Sequence, residues 1–271
     1  MSQLKVSLYQ PKCLLSSFES VLMSQTILDL DDVSVSFDGF YALTDLSFSL
    51  RPGELRSIIG PNGAGKTTFL DVITGKVRPT KGDVTLRGKS IVGLSEQKIS
   101  RLGVGRKFQT PRVWENLTVQ RNLELTASPN KNPFALLTET LSDVVKDEVF
   151  KIMEYVGLAP YAKWQAGSLS HGQKQWLAIS MLVAQSPDII LLDEPVAGLT
   201  DEETSKTADL IKSLAGEHTV VVIEHDMEFI RDLGAPVTVL HQGQKLTEGM
   251  LEEVKADPRV IEVYLGESDD D

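Results

Sequence analysis

The chain has 271 residues, 41% hydrophobic and 24% charged, the make-up of a folded globular protein rather than of a low-complexity one. Its 27 Lys and Arg against 38 Asp and Glu leave a net charge of −11, which disfavours non-specific nucleic-acid binding, because phosphate contacts need clustered cations. A single cysteine, Cys13, excludes an internal disulfide and a cysteine-based metal site, and no apolar run approaches the ~20 residues of a membrane span.

Residues 1–26 show no periodicity and are expected to form a poorly ordered extension, with a second plausible start at Met23. Lys5 and Lys12 are not followed by a continuous apolar core or a small-residue cleavage site, so no secretory signal is expected. A single domain is expected over 27–271. It begins with three short alternating strands, Ile27–Leu30, Val33–Phe37 and Leu46–Leu50, with a turn at Asp38-Gly39. The strand Leu55–Ile59 follows the turn Arg51–Glu54 and runs into Gly60-Pro61-Asn62-Gly63-Ala64-Gly65-Lys66-Thr67-Thr68 and a helical stretch, Phe69–Thr74.

That nonapeptide fits G-x-x-x-x-G-K-[ST] at every fixed position. Its glycines let successive N–H groups turn towards phosphate oxygens, and the helix behind adds its positive end. Lys66 is placed to reach the β- and γ-phosphates of a nucleotide, and the Thr67 hydroxyl to ligate Mg²⁺. A plain glycine turn accounts for the glycines but not for Lys-Thr directly after them.

Further on, a strand is expected over Val84–Leu86 and a helix over Glu96–Leu102. About 111–180 the text changes. Prolines punctuate helical spacing over Leu117–Leu125 and Leu141–Val156, with another helix over Ser170–Ala184, which reads as a helical insertion into an alternating α/β chain. The apolar run Ile189–Leu192 then ends in Asp193-Glu194, as a strand buried on both faces does. A helix (about Glu202–Leu214), the strand Thr219–Ile223, a helix (about Met227–Leu233), the strand Val237–Leu240 and a helix-rich tail complete the chain.

Six further residues, at four places in the chain, carry chemistry. Asp193, at a strand's carboxyl end, is a candidate Mg²⁺ ligand, and Glu194 a candidate base for a water attacking the γ-phosphate. Ser170 and Gly172 open a helix, either as a second anion-binding end or as a simple cap formed by Ser170 with Gln173. His225, past the strand Thr219–Ile223, is placed to donate to developing phosphate charge, though a lone histidine is more often structural. Gln109 is a weaker candidate for orienting water or Mg²⁺.

In this order the motifs resemble those of the ATP-binding-cassette ATPases, over about residues 27–267. The resemblance makes Gly60–Thr68 the Walker A loop, Gln109 the Q-loop glutamine and a metal neighbour, Leu169–Gln173 the signature motif, Ile189–Asp193 Walker B, Glu194 the catalytic carboxylate and His225 the switch histidine. It implies an α/β fold: a P-loop core with an N-terminal antiparallel β-subdomain and an inserted α-helical subdomain. It also implies ATP and Mg²⁺ as ligands, and adenine stacking on Phe37, with Tyr41 as the fallback. Two departures stand out. His171 replaces a signature glycine, and the loop after Walker B reads Ala197-Gly198-Leu199-Thr200 where the family usually ends in aspartate.

Within the family, Gly105–Val113, Pro195–Thr204 and Asp257–Gly266 resemble the branched-chain amino-acid importer group, and Leu169–Trp176 resembles most closely the ATP-binding subunit of urea importers. The implied role is an ATPase at the cytoplasmic face of the membrane. It would drive uptake of a small polar solute, urea first and branched-chain amino acids as the alternative. Its expected partners are permease subunits, a second ATP-binding subunit and, indirectly, a solute-binding protein; nucleic acid is not expected. A soluble cassette ATPase acting on nucleic acid is the more distant alternative.

Overall fold

A computed structural model describes residues 26–107, 112–128 and 142–266. The expectations for 1–25, and for Gln109, lie outside these residues.

The first two expected strands are one, β1 (Leu28–Phe37), and the third is longer, β2 (Phe40–Leu50). They pair antiparallel around Asp38-Gly39. Asp31 and Asp32 both face out, and the register shifts there, which resets the alternation and lets Leu28, Leu30, Val33 and Val35 all point inward. Reading β1 as two strands mistook that irregularity for an end. β4 (Lys81–Leu86) and the short β5 (Lys89–Ser90) complete a four-stranded antiparallel sheet ordered β2-β1-β4-β5.

The second sheet is ordered β10-β9-β3-β8-β7-β6, from β3 (Leu55–Ile59), β6 (Val104–Lys107), β7 (Ile189–Asp193), β8 (Thr219–Ile223), β9 (Val237–His241) and β10 (Gln244–Gly249). All are parallel except β10, which runs antiparallel to β9. β6 and β10 were not expected. β6, Val-Gly-Arg-Lys, has no apolar run, and β10 is largely polar at the sheet's edge. β7 and β8 show why an unbroken apolar run marks a central strand. Ile189, Leu191, Val221 and Ile223 face one core, while Ile190, Leu192, Val220 and Val222 face another.

The first core joins the antiparallel sheet to α1 (Lys66–Ile73), with Phe48 and Phe69 edge to face at 5.0 Å, and reaches α2 (Glu96–Arg101) through Ile99. The second lies under α5 (His171–Val183), α6 (Asp201–Leu214), α7 (Met227–Leu233), α8 (Leu251–Ala256) and α9 (Pro258–Gly266). A third, smaller cluster joins α3 (Val119–Ala127) and α4 (Asp143–Tyr155) to the near end of α5 through Leu123, Val149, Met153 and Leu177. No helix among the described residues is long and apolar enough to cross a membrane.

Candidate active site

Parallel strands bring their carboxyl ends to one edge, and β3, β8 and β7 are neighbours in exact register there. Ile58 pairs with Ile223, and Ile223 with Asp193. The phosphate loop, the Glu224-His225 turn and the Asp193-Glu194 turn, far apart in sequence, therefore leave the sheet side by side.

The loop is shaped by its close neighbours. Gly65 caps α1 with φ +97°, and a Cβ there would come within 2.7 Å of the Ala42 carbonyl. Only glycine satisfies both. Ala64 O accepts from Gly243 N, and Thr44 N donates to Gly243 O, so the loop is bound to β2 through the β9–β10 turn. Lys66 Nζ donates to the Gly60 and Pro61 carbonyls at 2.5 and 2.7 Å, which holds the ammonium inside the curve of the loop. The β1–β2 turn carries Phe37 beside Phe40 and Tyr41. Phe37 is 49% exposed, which excludes core packing, and Phe40 and Tyr41 are more open still. Tyr41 directly precedes Ala42 at the loop. Phe40 pairs with Phe37 across the two-residue turn, a second exposed aromatic on the same face of the chain's first hairpin end.

Asp193 is not isolated. Arg106, buried on β6, forks between Asp71 Oδ1 on α1 (2.5 Å) and Asp193 Oδ2 (2.9 Å). Such a fork fixes the acid relative to the phosphate-loop helix. In sequence Arg106 stands only within the family wording of Gly105–Val113, since its strand has no pattern to mark it. Beside it Lys107 is 4% exposed, and burial pulls its ammonium down to about 8 against the nearby Asp193, Glu224 and Glu194 carboxylates.

Glu194 takes φ +44°, a left-handed turn that ends β7 and swings its carboxylate off the strand line. His225 Nδ1 lies 3.8 Å from Glu194 Oε1 and 3.6 Å from Glu224 Oε2. Glu224, also missed, is buried. Its two oxygens accept from Val196 N (3.0 Å) and His225 N (3.1 Å), so one carboxylate ties the turn after β7 to the turn after β8. Burial nevertheless pushes its pKa up.

Ser170 and Gly172 stand on a different element, the start of α5. Ser170 Oγ accepts from Gln173 N, and Gln173 Oε1 accepts from Ser170 N, so the simple cap is real. Accepting leaves the hydroxyl proton available for a phosphate oxygen. Thr200, at the position of the usual aspartate, caps α6 in the same way with Glu203.

Mg²⁺ can be tested against this donor set. Among the described residues no three His, Cys, Asp or Glu converge on one point. What the chain offers is a hydroxyl, Thr67, and a carboxylate, Asp193, on neighbouring elements. That suits a cation completed by nucleotide phosphates and water rather than a protein cage.

A glycine-lined loop opening a helix, with strand-end acids beside it on a parallel sheet, defines a nucleotide-hydrolysing P-loop ATPase. Residues 43–197 match the family model described as ABC transporter, and residues 244–270 one described as branched-chain amino acid ATP-binding cassette transporter. The chain is 37% identical over 260 residues to the high-affinity branched-chain amino acid transport ATP-binding protein LivG of Salmonella typhimurium, covering 91% of this chain and 100% of the relative. It is 36% identical, with the same coverage, to the corresponding protein BraF of Pseudomonas aeruginosa. Among solved structures it resembles an ATP-binding cassette of an ABC transporter in its ADP conformation, at TM-score 0.77 and 30% identity over 90% of this chain and 100% of the other. It also resembles a dimeric bacterial ABC transporter cassette, at TM-score 0.68 and 27% identity over 83% and 98%. The chain belongs to the ABC transporter family. It is an ATP-binding cassette ATPase, an enzyme that uses ATP with Mg²⁺.

Proposed function

We propose that this chain powers an importer of branched-chain amino acids from the cytoplasmic face of the membrane, where permease subunits hold it. The observation that carries this is the C-terminal match over residues 244–270, on β10, α8 and α9, joined to full-length likeness to relatives named for that cargo. The sequence put urea first; the comparisons support the branched-chain reading better. The wording of Leu169–Trp176, with His171 in the signature turn, still favours urea as the second reading. Uptake of labelled leucine and labelled urea in a strain lacking this gene separates them. Loss of leucine uptake alone supports the proposal, and loss of urea uptake alone overturns it.

The proposed chemistry divides between two chains. Loop N–H groups from Asn62 to Thr68 and the Lys66 ammonium bind the phosphates, Phe37 stacks on adenine, and Thr67 and Asp193 would hold Mg²⁺, which neutralises phosphate charge when bound. Gln109 is assigned beside them. Glu194 takes the proton from the attacking water, and His225 donates to the γ-phosphate. Ser170 and Gly172 of the second copy close over the same phosphate, so only the paired form completes a site. Glu115 at the surface binds Lys174 on α5 at 3.0 Å, and Asn122 pins the 114–118 backbone. Movement of α5 would thus reach residues 115–122, within the stretch after Gln109 that the family resemblance gives to the permease subunits.

A further inference from the structure

The two departures from the family's wording touch each other. His171, on the signature turn, places Nε2 3.2 Å from the Ala197 carbonyl, in the loop between β7 and α6. A carbonyl only accepts, so this bond requires the proton on Nε2; the Gln175 side-chain amide nitrogen, 3.4 Å from the same atom, is the longer, competing partner. The ring edge lies over Gly198, where an added Cβ would sit 3.7 Å from it. One residue on, a Cβ at Gly172 would fall on the Glu203 carboxylate, which is itself bound to Thr200 N at 3.1 Å. From the other side, Glu224 accepts from Val196 N at 3.0 Å. The loop after β7 is therefore fastened at Val196, Ala197 and Thr200; the signature turn bonds it at Ala197 and packs Gly172 against the Glu203 carboxylate that holds Thr200.

We infer that His171 is a positioning residue, joining the signature turn to the loop after Glu194 within one chain so that the two move as a unit. The glycine usual at this position has no side chain to donate. Ser170 and Gly172 flank His171, so a tether there orients both toward the partner's nucleotide, and any shift of the Glu194 turn is passed to them through Ala197. This rests on the two-chain reading of Ser170 and Gly172 given above, and adds to it how one chain's own loops are coupled.

The test compares full-length wild type with His171→Ala, which removes the donor but favours helix, and His171→Gln, whose amide N–H reaches a similar point. Phosphate release gives kcat and KM, fluorescent-nucleotide titration gives affinity, and hydrogen exchange reads the peptide spanning Val196–Leu199. Loss of one hydrogen bond that matters in the closed state is expected to lower kcat about 5- to 10-fold in His171→Ala with KM and nucleotide affinity within about 2-fold. Exchange at 196–199 is expected to rise, and His171→Gln to recover kcat to within about 3-fold of wild type. Wild-type kcat in His171→Ala, unchanged exchange, or a folded His171→Gln as slow as the alanine variant overturns the inference. Ser170→Arg is run beside them. If it turns over normally, the two-chain reading fails, whereas the exchange result still reports on the His171 tether.

Discussion

The phosphate loop and the signature turn are both glycine-containing turns that open a helix, yet they are held in different ways. The loop is fixed by main chain. Gly65 leaves no room for a side chain against Ala42, Ala64 bonds to Gly243, and the largest core lies directly beneath. The signature turn sits at the end of the smallest core and is fixed by side chains: Ser170 with Gln173, His171 with Ala197, Glu203 against Gly172. A main-chain cradle presents the same N–H array whatever its neighbours do. A side-chain-held turn takes its position from the loop it touches. On the proposed two-chain reading, one half of the site is preformed, and the other is conditional on the state of the Glu194 turn.

That contrast can be broken at several points. Glu194→Gln is expected to cut turnover by about 100-fold or more while nucleotide binding persists and an ATP-held dimer accumulates on gel filtration. Turnover at the wild-type rate would remove Glu194 as the base. Ser170→Arg should abolish dimerisation and turnover while leaving fluorescent-nucleotide affinity of the single chain unchanged, because the preformed half is intact. A matching loss of affinity would show that the two halves are not independent.

Arg106→Met removes the guanidinium shared by half-buried Asp193 and buried Asp71, leaving Asp71 with Lys76 at 3.1 Å. It is expected to lower stability by about 3–5 kcal/mol in urea titration, since one partner of a buried pair has been removed. An unchanged midpoint would mean that the fork contributes nothing to the loop side. Lys107→Met is expected to act in the opposite direction. The folded pKa of Lys107, about 8, lies below the ordinary 10.5, so the native state sheds its proton first. Its cost to stability is full below about 8 and fades as pH rises to 10.5. The substitution should therefore stabilise near pH 7 by up to about 3 kcal/mol, with the gain shrinking toward pH 10.5. Denaturant melts of both proteins across that range check the sign. The smallest effect is expected from Phe37→Ala, which should weaken ATP binding about 2- to 10-fold. If Tyr41→Ala does so instead, the stacking face belongs to β2.

How much was legible follows from what leaves a pattern. β7 and β8 were readable because a strand buried on both faces must be apolar throughout, and the loop because phosphate binding leaves glycines and Lys-Thr at fixed spacing. β6 was not readable, because Arg106 and Lys107 are buried there by ion pairing and by nearby acids rather than by apolarity. For Phe37, exposure rather than residue type separates it from the core.

By itself, the sequence determined the family, the loop, the strand-end acids and the alternation of strands and helices, since each depends on residue type at short spacing. Tertiary structure alone decided which of these residues meet. Asp193 belongs with Arg106 and Asp71, Glu224 with Val196 and His225, and His171 with Ala197. These partners lie 26 or more positions apart, apart from the adjacent Glu224 and His225, and no local rule sets such pairings. They exist because parallel strand order brings distant turns to one edge of one sheet.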